Sequence, residues 1–388
     1  MTRLKLIPIL LTLLSFTMAA CSTPQTDKPK EIDPGKIIIG HVTDSHSWHI
    51  LDYTSKDGAE HAVAVNLPII LVDEGHIEIF SSKRFHHGHE TYQGKNHTYA
   101  LIGGGLDKEE IICVQGPIEG CDIPADAFVD GEGNVFGRVT DADGNTVKPI
   151  DLSITKTAAA IIIAVTLLII VILASAKKYK TRSGKAPRGM QSLVEILVLH
   201  VRNDIVEPIL GHNTNRFLPY LLTLFFFIFF CNILGLIPIF PAGANITGNI
   251  AVTAILAIIT FLITNLNGNK HYWKDIFNTP GVPAWLKVFP LMPVVELVGV
   301  FTKPIVLMIR LFANMTAGHI VILGFVVIIF ILSNSLGMAI GGAVSAVSVI
   351  FAVFISLLEC LVAYIQAFVF TMLSTLYISM AIEEPEEA

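Results

Sequence analysis

KPIVLMIRLFANMTAGHIVILGFVVIIFIL, residues 303–332, sets an arginine, an asparagine and a histidine inside an otherwise apolar run. The run exceeds the roughly 20 residues needed to cross a bilayer as a helix, so Arg310, Asn314 and His319 stand in what reads as membrane. An arginine at the bilayer centre costs from about 3 to about 17 kcal/mol, depending on the reference state. Ionisable groups at such depth face protein or a water-filled cavity and mark functional positions. Glu296, Lys303 and Arg310 recur at seven-residue spacing and so share one helix face. Asn314 and Ala317 continue that stripe; with Ala313 and Gly318 they leave it almost without bulk, which lets another helix approach closely.

The last apolar stretch repeats the pattern with Glu359 and Gln366, again seven apart, and Ala363 between them. The two polar, small-residue faces are expected to pair. An ion pair between Arg310 and Glu359 that only holds the helices together is the plain alternative, but desolvation offsets the attraction of such a pair. Arginine stays protonated at any accessible pH, so it cannot relay a proton. It can hold an acid ionised: opposite charges about 4 Å apart attract by about 4 kcal/mol at an effective dielectric near 20. That lowers a carboxyl pKa by up to about 3 pH units. With His319 and Glu359 as titratable neighbours, the arrangement is a proton path with a fixed positive barrier in it.

Composition agrees with a membrane protein carrying a soluble portion: 53% of residues are hydrophobic and 15% charged, against about 25% charged in a soluble domain. The net charge of −6 argues against a polyanionic partner such as nucleic acid. TAAAIIIAVTLLIIVILASA (157–176) is an uncharged span, and the six basic residues of 177–188 that follow mark a cytoplasmic loop. Residues 190–211 alternate apolar and charged positions as an amphipathic interfacial helix would. Spans are expected at 217–240 and 245–266, then two long, tilted ones at about 289–333 and 336–382 forming a hairpin. The fold class is therefore mainly α, with five membrane helices and a cytoplasmic C-terminus.

The N-terminal part differs. Residues 1–20 have the basic start, apolar centre and small-residue end of a signal peptide. Met18-Ala19-Ala20-Cys21 suits either lipidation of Cys21 or ordinary cleavage after Ala20. Residues 21–155 read as an exported, periplasmic, β-rich domain: short alternations such as LPIILV and HIEIF separated by turn sequences DGEGN and DADGN. Nine histidines fall here, and His86, His87 and His89 of the HHGH cluster are weak metal candidates beside the reading of solvated loop residues. An oxidising compartment would permit a Cys113–Cys121 disulfide, while Cys231 and Cys360 read as packing residues. No catalytic constellation emerges, and no glycine loop of the GxxxxGK[ST] type is present. No cofactor is expected.

RLFANMTAGH, followed by IQAFVFTMLSTLYI and an acidic tail, resembles subunit a of the rotary F-type ATP synthase over about residues 157–382. FFFIFFCNILGLIP, ANIT and PLMPVVELVGVFTKPIVLMIRLF are similar too. The resemblance implies that Arg310 faces the carboxylate-bearing ring of c subunits, with Asn314 and Gln366 as polar neighbours. It assigns His319 and Glu359 to an entry half-channel and Glu296 to a cytoplasmic one. The implied partners are the c ring, the b subunits of the peripheral stalk, the remaining synthase subunits and membrane lipid; the implied site is a bacterial inner membrane. Many bacterial members carry the His319/Glu359 pair reversed, and many place an aspartate where this chain has ANITGN. A secondary transporter using Arg310 to hold an anionic substrate is the alternative; it predicts an inverted repeat of membrane segments, which the sequence lacks.

Overall fold

The computed structural model describes residues 35, 43–54, 60–88, 90–104, 107–117, 128–129, 134–140, 146–181, 186–237, 243–277, 291–336 and 338–383. Residues 1–20, expected to be a signal peptide, Cys21, Cys121, His89 and residues 384–388 of the acidic tail lie outside them, as do the side chains of His86 and His87. The chain divides into two units, one formed by 68–103 and 109–152, the other by 35–67, 104–108 and 153–388.

In the first unit, strands β3 (Pro68–Asp73), β4 (His76–Ser81) and β10 (Ile150–Asp151) form an antiparallel sheet in the order β10-β3-β4. A second sheet runs β5-β6-β7-β9-β8, from β5 (Thr91–Gln93), β6 (Thr98–Gly104), β7 (Asp107–Pro117), β8 (Phe128–Val129) and β9 (Val135–Arg138). Successive side chains on a strand point to opposite faces. On β7, Ile111 and Cys113 accordingly join a core with Ile69, Leu71, Phe80, Phe85 and Tyr99, whereas Ile112 and Val114 join Ala100, Phe128 and Phe136. Both faces of the second sheet's centre are thus covered.

The second unit starts with a hairpin of β1 (Ser47–Thr54) and β2 (Glu60–Asn66). Helix α1 (Lys156–Thr181) follows, then α2 (Met190–His200), which runs on through a π-helical turn, Val201–Val206, and a further turn, Glu207–Leu210. After these come α3 (Thr214–Leu236), α4 (Ile250–Leu266), a short α5 (Lys270–Phe277), α6 (Leu291–Leu336) and α7 (Met338–Ile382). Among the described residues, four helical stretches are long and apolar enough to cross a membrane: 156–180, 190–236, 294–328 and 347–382. The 17 residues of α4 form a shorter apolar helix. At 46 and 45 residues, α6 and α7 are each nearly 70 Å long at about 1.5 Å per residue, against a hydrocarbon core of about 30 Å.

Contacts between α6 and α7 fix them as an antiparallel hairpin. Phe325 stacks on Phe351 nearest the turn, Gly318 meets Glu359 further along, and Lys303 Nζ lies 5.4 Å from the Tyr377 ring centre near the far end. One end of the bundle gathers the start of α1, the end of α3 and the start of α4: Trp48, Ala160, Ala164, Cys231, Ala244 and Ile246 share a core there. The opposite end gathers the start of α3 and the ends of α4 and α7. There Arg216 Nη2 donates to Asn267 Oδ1 at 2.6 Å, Asn269 Nδ2 to the Ile382 carbonyl at 2.8 Å, and Ser379 Oγ to the Ile209 carbonyl at 3.1 Å. Between the ends, Leu221, Phe225 and Ile228 of α3 pack with Leu307 and Leu311 of α6 and Ala367 and Phe370 of α7.

Candidate functional site

Three helices meet around Glu359 and His319. Glu359 on α7 is 8% exposed, and neither carboxylate oxygen accepts a hydrogen bond from the described residues. It fits only because Gly318 opposite has no side chain: a Cβ there would overlap the carboxylate. His319, the next residue on α6, turns toward α3, and its Nε2 would be 3.5 Å from a Cβ at Gly235. That nitrogen is also buried without a hydrogen-bond partner among the described residues. Buried polar atoms are nearly always satisfied by protein or water, so these two titratable groups, without partners among the described residues, make this a candidate site.

A polar layer extends this cluster toward the end of the bundle that holds Trp48 and the start of α1. Asn232 on α3, fully buried, accepts from Thr247 Oγ1 at 2.6 Å and donates from Nδ2 to the Ala363 carbonyl of α7 at 3.4 Å. Asn245 Oδ1 accepts from the Gly248 amide at 2.9 Å, which shapes the bend before α4, and Thr316 Oγ1 of α6 donates to the Gly248 carbonyl at 3.4 Å. Sequence reasoning did not single out Asn232, Asn245 or Thr247 as site residues. The signal for Asn232 is present, as a lone amide in the apolar half of FFFIFFCNILGL; ANIT stands out only through the resemblance, as the place where many bacterial members have an aspartate.

A second polar region lies toward the opposite end. Thr260, Thr264, Asn265, Tyr272, Lys303 and Tyr377 line a cleft of about 320 Å³. Lys303 is half-buried, Glu296 acts on it electrostatically from two turns earlier, and Glu296 itself is exposed. Lys303 and His319 are 16 residues apart on one helix, a separation of about 24 Å along its axis.

Arg310 falls between these regions; it lines neither, though its charge acts on Tyr377 of the cleft. It is exposed, and so are Ala313, Asn314 and Ala317. This corrects the expected pairing of polar faces: α7 turns Glu359, Ala363 and Gln366 inward against its neighbours, while α6 turns the arginine face out. The purely adhesive Arg310–Glu359 ion pair does not form; Glu359 instead meets Gly318. By the hairpin register, Gln366 lies close to the level of Arg310 and Asn314. Cys231 is buried as expected, but Cys360 is exposed, since it follows Glu359 and faces away from the bundle.

The family model described as ATP synthase A chain matches residues 158–379. A model described only as a domain of unknown function matches residues 37–123. ATP synthase subunit a 2 of Chlorobaculum tepidum is 45% identical over 241 residues, which cover 61% of this chain and 65% of that protein. ATP synthase subunit a of Chloroherpeton thalassium is 41% identical over 238 residues, 60% of this chain and 67% of that protein. The protein of the same name from Myxococcus xanthus is 43% identical over 240 residues, 60% and 74% of the two chains. The chain therefore spans just under two thirds of the first relative's length.

Proposed function

Because the chain belongs to the ATP synthase A chain family, we propose that it is the proton-conducting stator subunit of a rotary ATP synthase. It is a multi-pass membrane protein; five passes, with 21–155 periplasmic and the C-terminus cytoplasmic, agree with the way helix ends gather at the two ends of the bundle. The observation that carries the reading is the order along α6: a buried polar cluster at His319, an outward arginine at 310, and a polar cleft at Lys303. Two half-channels separated by a positive barrier need that order.

A proton entering from the periplasm passes the Asn232–Thr247 layer to His319 and Glu359, then neutralises a carboxylate on the c ring. The neutral carboxyl can rotate into lipid. On its return it meets Arg310, whose permanent charge favours the ionised form, and the released proton leaves by the Lys303 cleft and Glu296. Arg310 also blocks direct passage, since a proton crossing between the half-channels would approach a fixed cation. Ala313 and Ala317 keep the approach to Arg310 open, and Asn314 and Gln366 supply polar contacts near it. A unit charge crossing 100 mV releases about 2.3 kcal/mol. Nucleotide chemistry belongs to other subunits, with the b subunits holding this chain against rotation.

Replacing Arg310 by Ala in membrane vesicles tests the proposal. ATP-driven proton pumping is expected to vanish while ATP hydrolysis by the released soluble head persists. Normal pumping in that variant would overturn the reading.

A further inference from the structure

The β unit is not used by this mechanism, yet it brings unlike donor atoms together from three separated positions. Asp73 ends β3, and the turn after it has positive φ at both central residues, 47° at Glu74 and 84° at Gly75, as a two-residue hairpin turn requires. Asp73 Oδ2 accepts from Tyr99 Oη at 2.8 Å and lies 2.7 Å from His97 Nδ1. The Asp73 carboxylate, a His97 ring nitrogen and Cys113 Sγ all lie within 4.8 Å of one another. Asp73 and Cys113 are buried, while the His97 side chain keeps 24% exposure and so offers a route from solvent.

The geometry points to a zinc-type divalent cation site formed by Asp73, His97 and Cys113. The donor set selects the ion. Calcium and magnesium take oxygen ligands, and copper(I) prefers soft sulfur ligands to a carboxylate. Zinc accepts thiolate, imidazole and carboxylate together, with bonds of about 2.0–2.3 Å, and leaves a fourth position for water. Tetrahedral bonds of that length separate donor atoms by roughly 3.3–3.8 Å, so the Asp73–His97 pair, at 2.7 Å, has to open, and a donor atom at the 4.8 Å limit would have to close by about 1 Å. Charge also balances: carboxylate and thiolate together neutralise the dication, which suits a buried position. On binding, the Cys113 thiol gives its proton to solvent and the neutral His97 ring keeps its single proton on the nitrogen that does not bind, so one proton is released.

The surroundings hold the donors in place. Tyr99 orients Asp73, and orienting partners of this kind raise metal affinity about 10–100-fold. The turn carrying His97 is pinned twice: Gly94 N donates to the His97 carbonyl at 2.9 Å, and Lys95 N to Glu78 Oε1 at 2.6 Å. Gly94 is required there, because a Cβ would overlap the Tyr99 ring and the Glu78 carboxylate.

The test uses the full chain in detergent, stripped with chelator, with its thiols reduced, and titrated with Co²⁺ and then Zn²⁺. One equivalent of Co²⁺ is expected to give a thiolate-to-cobalt charge-transfer band that Zn²⁺ removes. Cys113→Ser should abolish the band, and His97→Gln or Asp73→Asn should weaken binding at least tenfold. Joint replacement of His86, His87 and His89 by Asn should leave it unchanged. Absence of the band in the parent chain, its survival in Cys113→Ser, or its loss only in the triple histidine variant would overturn the site. Recovery of Cys113 in a disulfide from native membranes would do the same. If Cys113→Ser does not fold, His97→Gln at the partly exposed edge decides, and unchanged cobalt affinity there ends the proposal. These outcomes leave the proton-path reading untouched.

Discussion

Glu359 rests against the bare backbone of Gly318, with too little room between α6 and α7 for a single methyl group. Gly318→Ala is therefore expected to push the carboxylate out of the helix interface while leaving the helix itself intact, since alanine favours helix over glycine by about 1 kcal/mol. On the proposed function, ATP-driven proton pumping in vesicles should fall at least tenfold at normal chain abundance. A Gly318→Ala chain that pumps at the parent rate would remove Glu359 from the path.

Asn232 is predicted to matter for stability as well as transport. Leucine in its place would leave the Thr247 hydroxyl without its acceptor and take from the Ala363 carbonyl the side-chain donor it has besides its helical one. Stranding such a hydroxyl costs about 1–3 kcal/mol. A lower midpoint of thermal unfolding in detergent is expected for Asn232→Leu; an unchanged midpoint would show that the Asn232 layer is not structural.

Asp44 caps α1 from a distant part of the chain. Its Oδ1 accepts from the Thr157 amide at 2.9 Å, beside Lys156 Nζ, which donates to the Thr43 carbonyl at 3.0 Å. Loss of a side-chain cap costs about 0.5–2 kcal/mol. Asp44→Ala should therefore speed amide exchange in the first turn of α1 and in the 43–48 segment together. Acceleration confined to one of them would mean the two are not coupled.

The β unit should be alkali-sensitive when metal-free. Burial, reinforced by the charge of Asp73, pushes the Cys113 thiol from 9.0 up to about 12 and raises the Tyr99 phenol, which also donates to Asp73. An acid whose pKa is raised on folding contributes stability that is complete below its unfolded value and lost as pH climbs toward the folded one. In chelator-treated chain, the thermal midpoint of the β unit, followed by near-ultraviolet tyrosine dichroism, should fall from about pH 9 toward pH 12. A midpoint flat from pH 8 to pH 11 would contradict this.

Much of the helical part was legible in the primary structure. The apolar stretches at 289–333 and 336–382 anticipated α6 and α7 to within a few residues, because uninterrupted apolarity leaves few other conformations. The β alternations LPIILV and HIEIF likewise became β3 and β4. What a face meets was not legible. Helical period put Arg310, Asn314 and Ala317 on one side, but it cannot distinguish a neighbouring helix from an open surface, and the structure chose the surface. The polar layer was missed for a related reason: Asn232 and Thr247 come together only when α3 and the start of α4 fold back on each other. Asp73, His97 and Cys113 were hidden similarly, since each looks ordinary in its own strand or turn while the HHGH cluster is conspicuous in one dimension.

The outward guanidinium also bears on the life of the chain before assembly. On the proposed function, a copy inserted alone presents a cation to hydrocarbon with no ion-pair partner among the described residues, a situation that bilayers tolerate poorly. If the chain works beside a rotor as proposed, an orphan copy should therefore be a preferred target for membrane proteases, and its lifetime should lengthen when the rotor subunits are co-expressed. The same side chain would then act as a checkpoint on stoichiometry.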